Sequence, residues 1–168
     1  MCTSLFKSNT LATFSCLIIA TLALVQICLA QNSPQDYLDA HNAARAEVGV
    51  VNIEWDSTLA SYARRYALSR VDDCALIRSN GPYGENLAVS SNPLFSGTDA
   101  VELWLQQKVE YDYSLNTCAV GTDCLTYTQL VWHDSVNVGC ARVQCVNGWI
   151  FVMCSYNPPG NIIGQRPF

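Results

Sequence analysis

The apolar residues that follow residue 33 recur at helical spacing. Ser33, Pro34 and Asp36 form a helix start, because a hydroxyl can cap the helix, proline fits its first turn and an acid is favoured there. We predict that this helix runs to about Val48 and ends at Gly49. Its buried face should consist of residues spaced four, three and four apart, namely Tyr37, His41, Ala44 and Val48.

Three further helices are indicated. Asp56 is the expected cap of the second. Its buried stripe should contain Leu59, Tyr62, Ala63, Tyr66 and Ala67. Ser96 and Asp99 resemble a capping box that opens the third helix, which extends through Trp104 to about residue 109. Leu125–Trp132 is predicted to be a short fourth helix.

Strand patterns occur in two places. Val50–Trp55 is rich in β-branched residues and alternates, which predicts a short strand. Later in the chain, Val138–Val146 and Trp149–Tyr156 are β-rich runs that flank Asn147-Gly148. Because Asn-Gly accommodates the positive φ angles of a type I′ turn, these runs predict a β-hairpin.

The hairpin turn has a consequence for its cysteines. A strict two-residue turn would pair Cys140 with Ser155 and direct Cys154 to the opposite face of the sheet. If Cys140 and Cys154 are bridged, a bulge or a shifted register must intervene. The order of elements, helices first and hairpin last, predicts an α+β sandwich.

The first thirty residues differ from the rest. Lys7 is their only charge, and residues 11–30 are almost wholly apolar up to the small Ala30. This pattern predicts a secretory signal peptide over residues 1–30, with Gln31 as the new N-terminus and one domain over residues 31–168. A membrane anchor is the alternative, since about twenty apolar residues can span a bilayer.

The charge of the chain is acidic, with fourteen Asp and Glu against nine Lys and Arg. Removal of the first thirty residues makes the net charge −6. Nucleic acid and anionic membranes are therefore not expected as main partners, because phosphate binding depends on clustered basic residues.

Six of the nine cysteines follow residue 31. An even number behind a signal peptide predicts three disulfides, although fifteen pairings are open on spacing alone. A metal site is poorly supported, because no two cysteines have C-x-x-C spacing and only His41 and His133 could assist. The six are Cys74, Cys118, Cys124, Cys140, Cys145 and Cys154.

Four ordered motifs carry a resemblance to a known family. The chain is similar to the CAP superfamily, which joins cysteine-rich secretory proteins, antigen 5 and pathogenesis-related proteins. It resembles the plant group-one pathogenesis-related proteins over essentially all of residues 31–168. The motifs are Tyr37–Asn42, Tyr83–Leu87, Tyr127–Trp132 and Cys154–Asn161.

This resemblance implies a three-layer α-β-α sandwich, secretion to the apoplast and defence against fungi and oomycetes. It implies no cofactor, and we expect a monomer. It also implies the disulfide pairs Cys74–Cys145, Cys118–Cys124 and Cys140–Cys154.

Members of the family carry a cleft lined by two His and two Glu, which in some holds a divalent metal. By resemblance, His41 and Glu85 match the first of each. Gln107, beside Gln106, stands in place of the second Glu, and Thr126 in place of the second His. One His and one Glu make a poor zinc site, so no metal is expected. Alternatively, His41 is a packing residue and Glu85 binds nearby backbone amides.

Hydrolytic chemistry in this cleft is the less favoured function. No G-x-S-x-G motif occurs, and all six later cysteines are expected in disulfides. We therefore expect a binding protein and not an enzyme. A hydrolase using His41 and Glu85 remains an alternative.

Sterol binding is the favoured function. The resemblance implies an aromatic loop of the form aromatic-x-aromatic, four residues, aromatic. Tyr111 and Tyr113 match its first part, whereas Cys118 replaces the third aromatic. Tyrosine rings offer flat apolar area and a hydroxyl to a sterol or another pathogen membrane lipid. Alternatively, they only pack under the loop.

The C-terminal tail suggests another function. Pro158–Phe168 resembles a defence peptide that is released from some group-one members by a protease cutting before the proline. Those precursors carry Asp before the cut, whereas this chain has Asn157. An acid-specific protease would act poorly here, because its pocket loses a charge partner. An ordinary surface tail is the alternative.

Overall fold

The computed structural model describes residues 32–168. The predicted signal peptide over residues 1–30, its membrane-anchor alternative and the new terminus at Gln31 lie outside these residues. Within residues 32–168, no helix is long and apolar enough to span a bilayer.

The order of elements matches the sequence prediction, with helices before the hairpin. The helices are α1 (Pro34–Ala46), α2 (Ser57–Ser69), α3 (Gly97–Gln106) and α4 (Leu125–Leu130), and a 3₁₀ turn (Gln107–Glu110) follows α3. The strands are β1 (Glu54–Trp55), β2 (Gly84–Ser90), β3 (Tyr111–Asp112), β4 (Thr117–Cys118), β5 (Asn137–Gln144) and β6 (Ile150–Asn157).

The predicted helix caps are confirmed. Ser33 and Ser96 each form a capping box with the acid three residues later, and the Asp56 side chain accepts the first amides of α2. These contacts satisfy amide groups that a helix cannot pair itself. On α1, the predicted residues Tyr37, His41 and Ala44 are buried, and so, unexpectedly, is Arg45.

The main sheet has the strand order β1-β5-β6-β2, with β1 parallel to β5 and the other pairs antiparallel. The strand predicted over Val50–Trp55 is reduced to Glu54–Trp55. Strand β2 was not predicted. It pairs with β6 along its whole length, from Gly84 opposite Tyr156 to Ser90 opposite Ile150.

The layers are those of the expected three-layer α-β-α sandwich. One face of the sheet packs with α1, α3 and α4 around a core that includes Trp104 and Tyr156. The other face packs against α2 around Phe151 and Met153. The three disulfides implied by the resemblance are all present, as Cys74–Cys145, Cys118–Cys124 and Cys140–Cys154.

The predicted two-residue hairpin turn is wrong. Cys140 lies opposite Cys154, and Gln144 opposite Ile150, which is the shifted register that the disulfide requires. The Gly148 amide donates to the Cys145 carbonyl at 2.9 Å, and only Gly148 in the turn has a positive φ, of 84°. The loop therefore has three residues with glycine in the left-handed region, a common alternative to the type I′ turn.

Candidate functional site

His41 lies on α1 and is completely buried, so it does not line a surface cleft. Its Nδ1 is 2.7 Å from the Tyr37 carbonyl, and its Nε2 is 2.9 Å from the Tyr156 hydroxyl. Because a carbonyl only accepts, Nδ1 carries the proton and Nε2 accepts from Tyr156. Burial lowers the pKa of His41 to about 4, so the ring is neutral near pH 7.

A chain of hydrogen bonds continues from this histidine across the sheet. The Asn86 side-chain amide donates to the Tyr156 hydroxyl at 3.2 Å and to the Thr126 carbonyl at 2.9 Å. Asn86 is buried on β2, and Tyr156 is buried on β6. These bonds connect α1, the sheet and α4 through groups that would be costly to leave unpaired.

Thr126 then binds Gln107, and these two residues stand where the family has its second His and second Glu. The Gln107 side-chain carbonyl accepts from the Thr126 amide at 3.1 Å and from its hydroxyl at 2.5 Å. The Gln107 side-chain amide and the Thr126 hydroxyl are thus hydrogen-bonded to each other, and neither group acts as a base near neutral pH. Both residues border a shallow groove of about 370 Å³ beside β2 and α3.

Glu85 points away from this chain of hydrogen bonds. It precedes Asn86 on β2, and successive strand residues face opposite sides of a sheet. Its carboxylate accepts from the Ser79 amide at 2.8 Å and from the Ser79 hydroxyl, which also contacts the Tyr62 hydroxyl on α2. The structure thus supports the alternative that Glu85 binds nearby backbone, and it separates Glu85 from His41.

Of the four cleft residues, the structure joins Gln107 and Thr126 directly and His41 through two intermediates. The sequence prediction missed those intermediates, Asn86 and Tyr156. Both lie inside the family motifs, so the motifs indicated the region of the site. They did not indicate that Asn86 and Tyr156 are partners, because the two residues are 70 positions apart in the chain.

The residues present do not fit a metal ion. Within residues 32–168, the only group of three or more potential ligands close together is His41, Cys140 and Cys154, whose ligand atoms lie within 4.8 Å of one another. The two cysteines are bonded to each other, whereas metal binding needs thiolates. Both nitrogens of His41 already have partners.

The aromatic loop is the second candidate site. Tyr111 begins β3 and is half-buried, and its hydroxyl donates to the Asn116 side-chain carbonyl at 2.7 Å. Its ring packs near the Tyr127 ring of α4, with ring centres 6.1 Å apart. Tyr113 is 50% exposed and lies edge-on to Tyr111, with ring centres 6.5 Å apart. The structure therefore brings the two predicted tyrosines together at the surface.

A groove of about 300 Å³ lies beside this loop. Its walls are the Cys118–Cys124 disulfide, α4 and the C-terminal tail. The lining mixes apolar side chains with a few polar groups, as ligand sites commonly do. Named residues of the lining are Tyr111, Leu125, Thr128, Trp132, Ile162 and Ile163.

The tail begins at an exposed Asn157–Pro158 bond at the end of β6. Hydrogen bonds fix the residues on both sides of this bond. The Asn157 carbonyl accepts from the Val136 amide at 3.1 Å, the Pro158 carbonyl accepts from the Ser135 hydroxyl at 2.7 Å, and the Gly160 amide donates to the Gln129 side-chain carbonyl at 2.9 Å. A protease acting before Pro158 would have to loosen these contacts as well as accept Asn157.

Comparisons with known proteins show the family of this chain. A family model described as "CAP: Cysteine-rich secretory protein family" matches residues 38–156. The chain is 52% identical over 158 residues to the basic form of pathogenesis-related protein 1 of Nicotiana tabacum, covering 94% of this chain and 88% of that one. It is 52% identical over 151 residues to a PR-1 type pathogenesis-related protein of Sambucus nigra, covering 89% and 90%.

Among solved structures, the chain resembles Schistosoma mansoni venom allergen-like protein 4. The TM-score is 0.62 at 23% identity, over 80% of this chain and 92% of that one. This likeness supports the fold.

Proposed function

This chain belongs to the CAP family of cysteine-rich secretory proteins, and on that basis we propose that it is an extracellular plant defence protein that binds sterols of fungal and oomycete membranes. Its 52% identity to plant pathogenesis-related proteins supports a role in defence. Three disulfides fit a protein that works outside the cell.

The observation that carries the sterol proposal is the aromatic loop. Tyr111 and Tyr113 form an aromatic pair next to a groove whose walls include Trp132 and Ile162. Flat rings suit the flat, apolar body of a sterol, and the groove also offers hydroxyl and amide groups for the sterol 3-hydroxyl.

A hydrolase is less well supported by the site. A general base must reach its substrate, yet His41 is buried and both of its nitrogens are engaged. Glu85 lies on the other face of the sheet and binds Ser79. Neither pair of predicted cleft residues forms a nucleophile with an adjacent base.

The test is saturation binding of radiolabelled ergosterol to protein that begins at Gln31. We expect saturable binding by the wild type and an affinity at least tenfold lower in the double variant Tyr111→Ala/Tyr113→Ala, because two aromatic contacts are lost. Tyr83→Ala is the matched control, since this half-buried tyrosine packs edge-to-face against Tyr62, away from the aromatic loop. Absence of saturable binding, or full binding by the double variant, would refute the proposal.

A further inference from the structure

The end of the chain lies against the aromatic loop. The Phe168 ring stacks on the Tyr113 ring with centres 5.0 Å apart and planes 17° apart. Phe168 also contacts the rings of Tyr111 at 6.1 Å and Tyr127 at 6.5 Å. The Arg166 guanidinium lies 4.8 Å from the centre of the Tyr113 ring. The chain terminus thus occupies ring surface that an apolar ligand would need.

Few other contacts hold this terminus in place. The Pro167 carbonyl accepts from the backbone amide of His133 at 2.8 Å, and the Gln165 carbonyl accepts from Asn116 at 3.0 Å. Arg166 donates to the Tyr113 and Ser114 carbonyls. The bonds of Gln165 and Arg166 are exposed, whereas Pro167 is buried and its carbonyl also lies 3.2 Å from His133 Nδ1. The exposed part of the segment can open at low free energy cost.

The segment before Phe168 is shaped as a turn. The Gln165 amide donates to the Ile162 carbonyl at 3.0 Å, and Gly164 has a φ of 83°. Ile163, at the outside of this turn, is 100% exposed. Residues 162–166 are therefore exposed, and the apolar contacts of the terminus come from the buried Pro167 and from the Phe168 ring.

The size of the neighbouring groove also matters. At about 300 Å³ it lies at the lower limit of ligand pockets, which span about 300–1,000 Å³. Ile162 and Ile163 form part of its wall. A four-ring lipid would need this wall to move outward before it could enter.

We propose that residues 162–168 form a strap that competes with the lipid for the Tyr113 ring, with Phe168 as the blocking residue. This inference rests on the proposed sterol function, because the strap covers the same aromatic pair. Removing the Phe168 ring exposes Tyr113 and allows the groove wall at Ile162 and Ile163 to move outward, so lipid binding becomes tighter.

The experiment compares Phe168→Ala with wild type and with Val146→Ala, a control that removes an exposed apolar side chain in the hairpin loop, away from the rings and the groove. The first measurement is the rate of Tyr113 nitration by tetranitromethane, followed by peptide mass spectrometry. The second is the Kd for ergosterol. Phe168→Ala should nitrate at Tyr113 several-fold faster and bind ergosterol about fivefold more tightly, whereas Val146→Ala should match wild type in both.

Two results would overturn the strap. One is an unchanged nitration rate in Phe168→Ala, because the ring would then not cover Tyr113. The other is weaker ergosterol binding by Phe168→Ala, which would make Phe168 part of the site. Faster nitration together with no ergosterol binding in any variant would show that Phe168 covers Tyr113 and would refute the sterol function instead.

Discussion

Replacement of Arg45 by methionine tests how α1 is held against the segments that follow α1 and α4. Arg45 is completely buried on α1, with no carboxylate among its hydrogen-bond partners within residues 32–168. Its guanidinium donates to four backbone carbonyls from two segments of the chain: Val51 at 2.8 Å in one, and Leu130 at 3.3 Å, Trp132 at 2.9 Å and Ser135 at 2.9 Å in the other. Burial lowers the pKa of Arg45 to about 10, so the group is charged at neutral pH.

The size of the effect follows from these acceptors. Methionine fills a similar volume but cannot donate, so the Val51 and Ser135 carbonyls lose bonds of 2.8 and 2.9 Å, whereas the Trp132 carbonyl keeps its bond from the Ser135 amide at 3.1 Å. An unsatisfied buried acceptor costs about 1–3 kcal/mol. The variant no longer buries a charge, which offsets part of this loss. We expect the free energy of unfolding to fall by about 2–4 kcal/mol.

The assay is urea unfolding of the oxidised protein, followed by tryptophan fluorescence. Arg64→Met is the matched control, because Arg64 is exposed on α2 and should change stability by less than about 0.5 kcal/mol. A loss below about 1 kcal/mol in Arg45→Met, with an unchanged urea dependence, would refute the reasoning. It would mean that the carbonyls find other partners.

Two further changes test the buried network and the sheet packing. Folding lowers the pKa of His41 from 6.5 to about 4, so between these values the unfolded chain binds more protons than the folded protein. The free energy of unfolding therefore decreases as the pH is lowered, and we expect a loss of about 2 kcal/mol at pH 5 relative to pH 7. Urea unfolding of His41→Gln should lack this part of the pH dependence, and an equal loss in both proteins would contradict it. In Gly139→Ala, the added methyl would meet the backbone of α2 at Asp56 and Ala60, so we expect a loss of about 1–3 kcal/mol. An unchanged melting temperature would show that α2 can move aside.

The helices were predictable because their signals are local. Ser33, Asp56 and Ser96 each act within three residues of their own position. The stripe of α2 was also correct, because Leu59, Ala63 and Ala67 depend only on helical periodicity.

Strand β2 and the hairpin register depend on partners far along the chain. The sequence of β2 contains Glu85, Asn86 and Ser90, which do not favour a strand alone, and pairing with β6 makes it one. The local Asn-Gly rule suggested a type I′ turn, but the Cys140–Cys154 pairing selects the register with a longer loop.

The candidate site was predictable only in part, for the same reason. Helical spacing placed His41 on a buried face, but its contact with Tyr156 spans 115 residues. Strand alternation separates Glu85 from Asn86 once β2 is known. The aromatic pair was found from its spacing, whereas the contact with Phe168 depends on how the tail folds back.

The position of Phe168 affects how the protein should be labelled. Phe168 lies within a cluster of three tyrosine rings. A tag or fluorescent label attached next to it would lie beside Tyr113 and would disturb the surface being assayed. Labels therefore belong on a distant surface, such as the exposed hairpin loop at Val146.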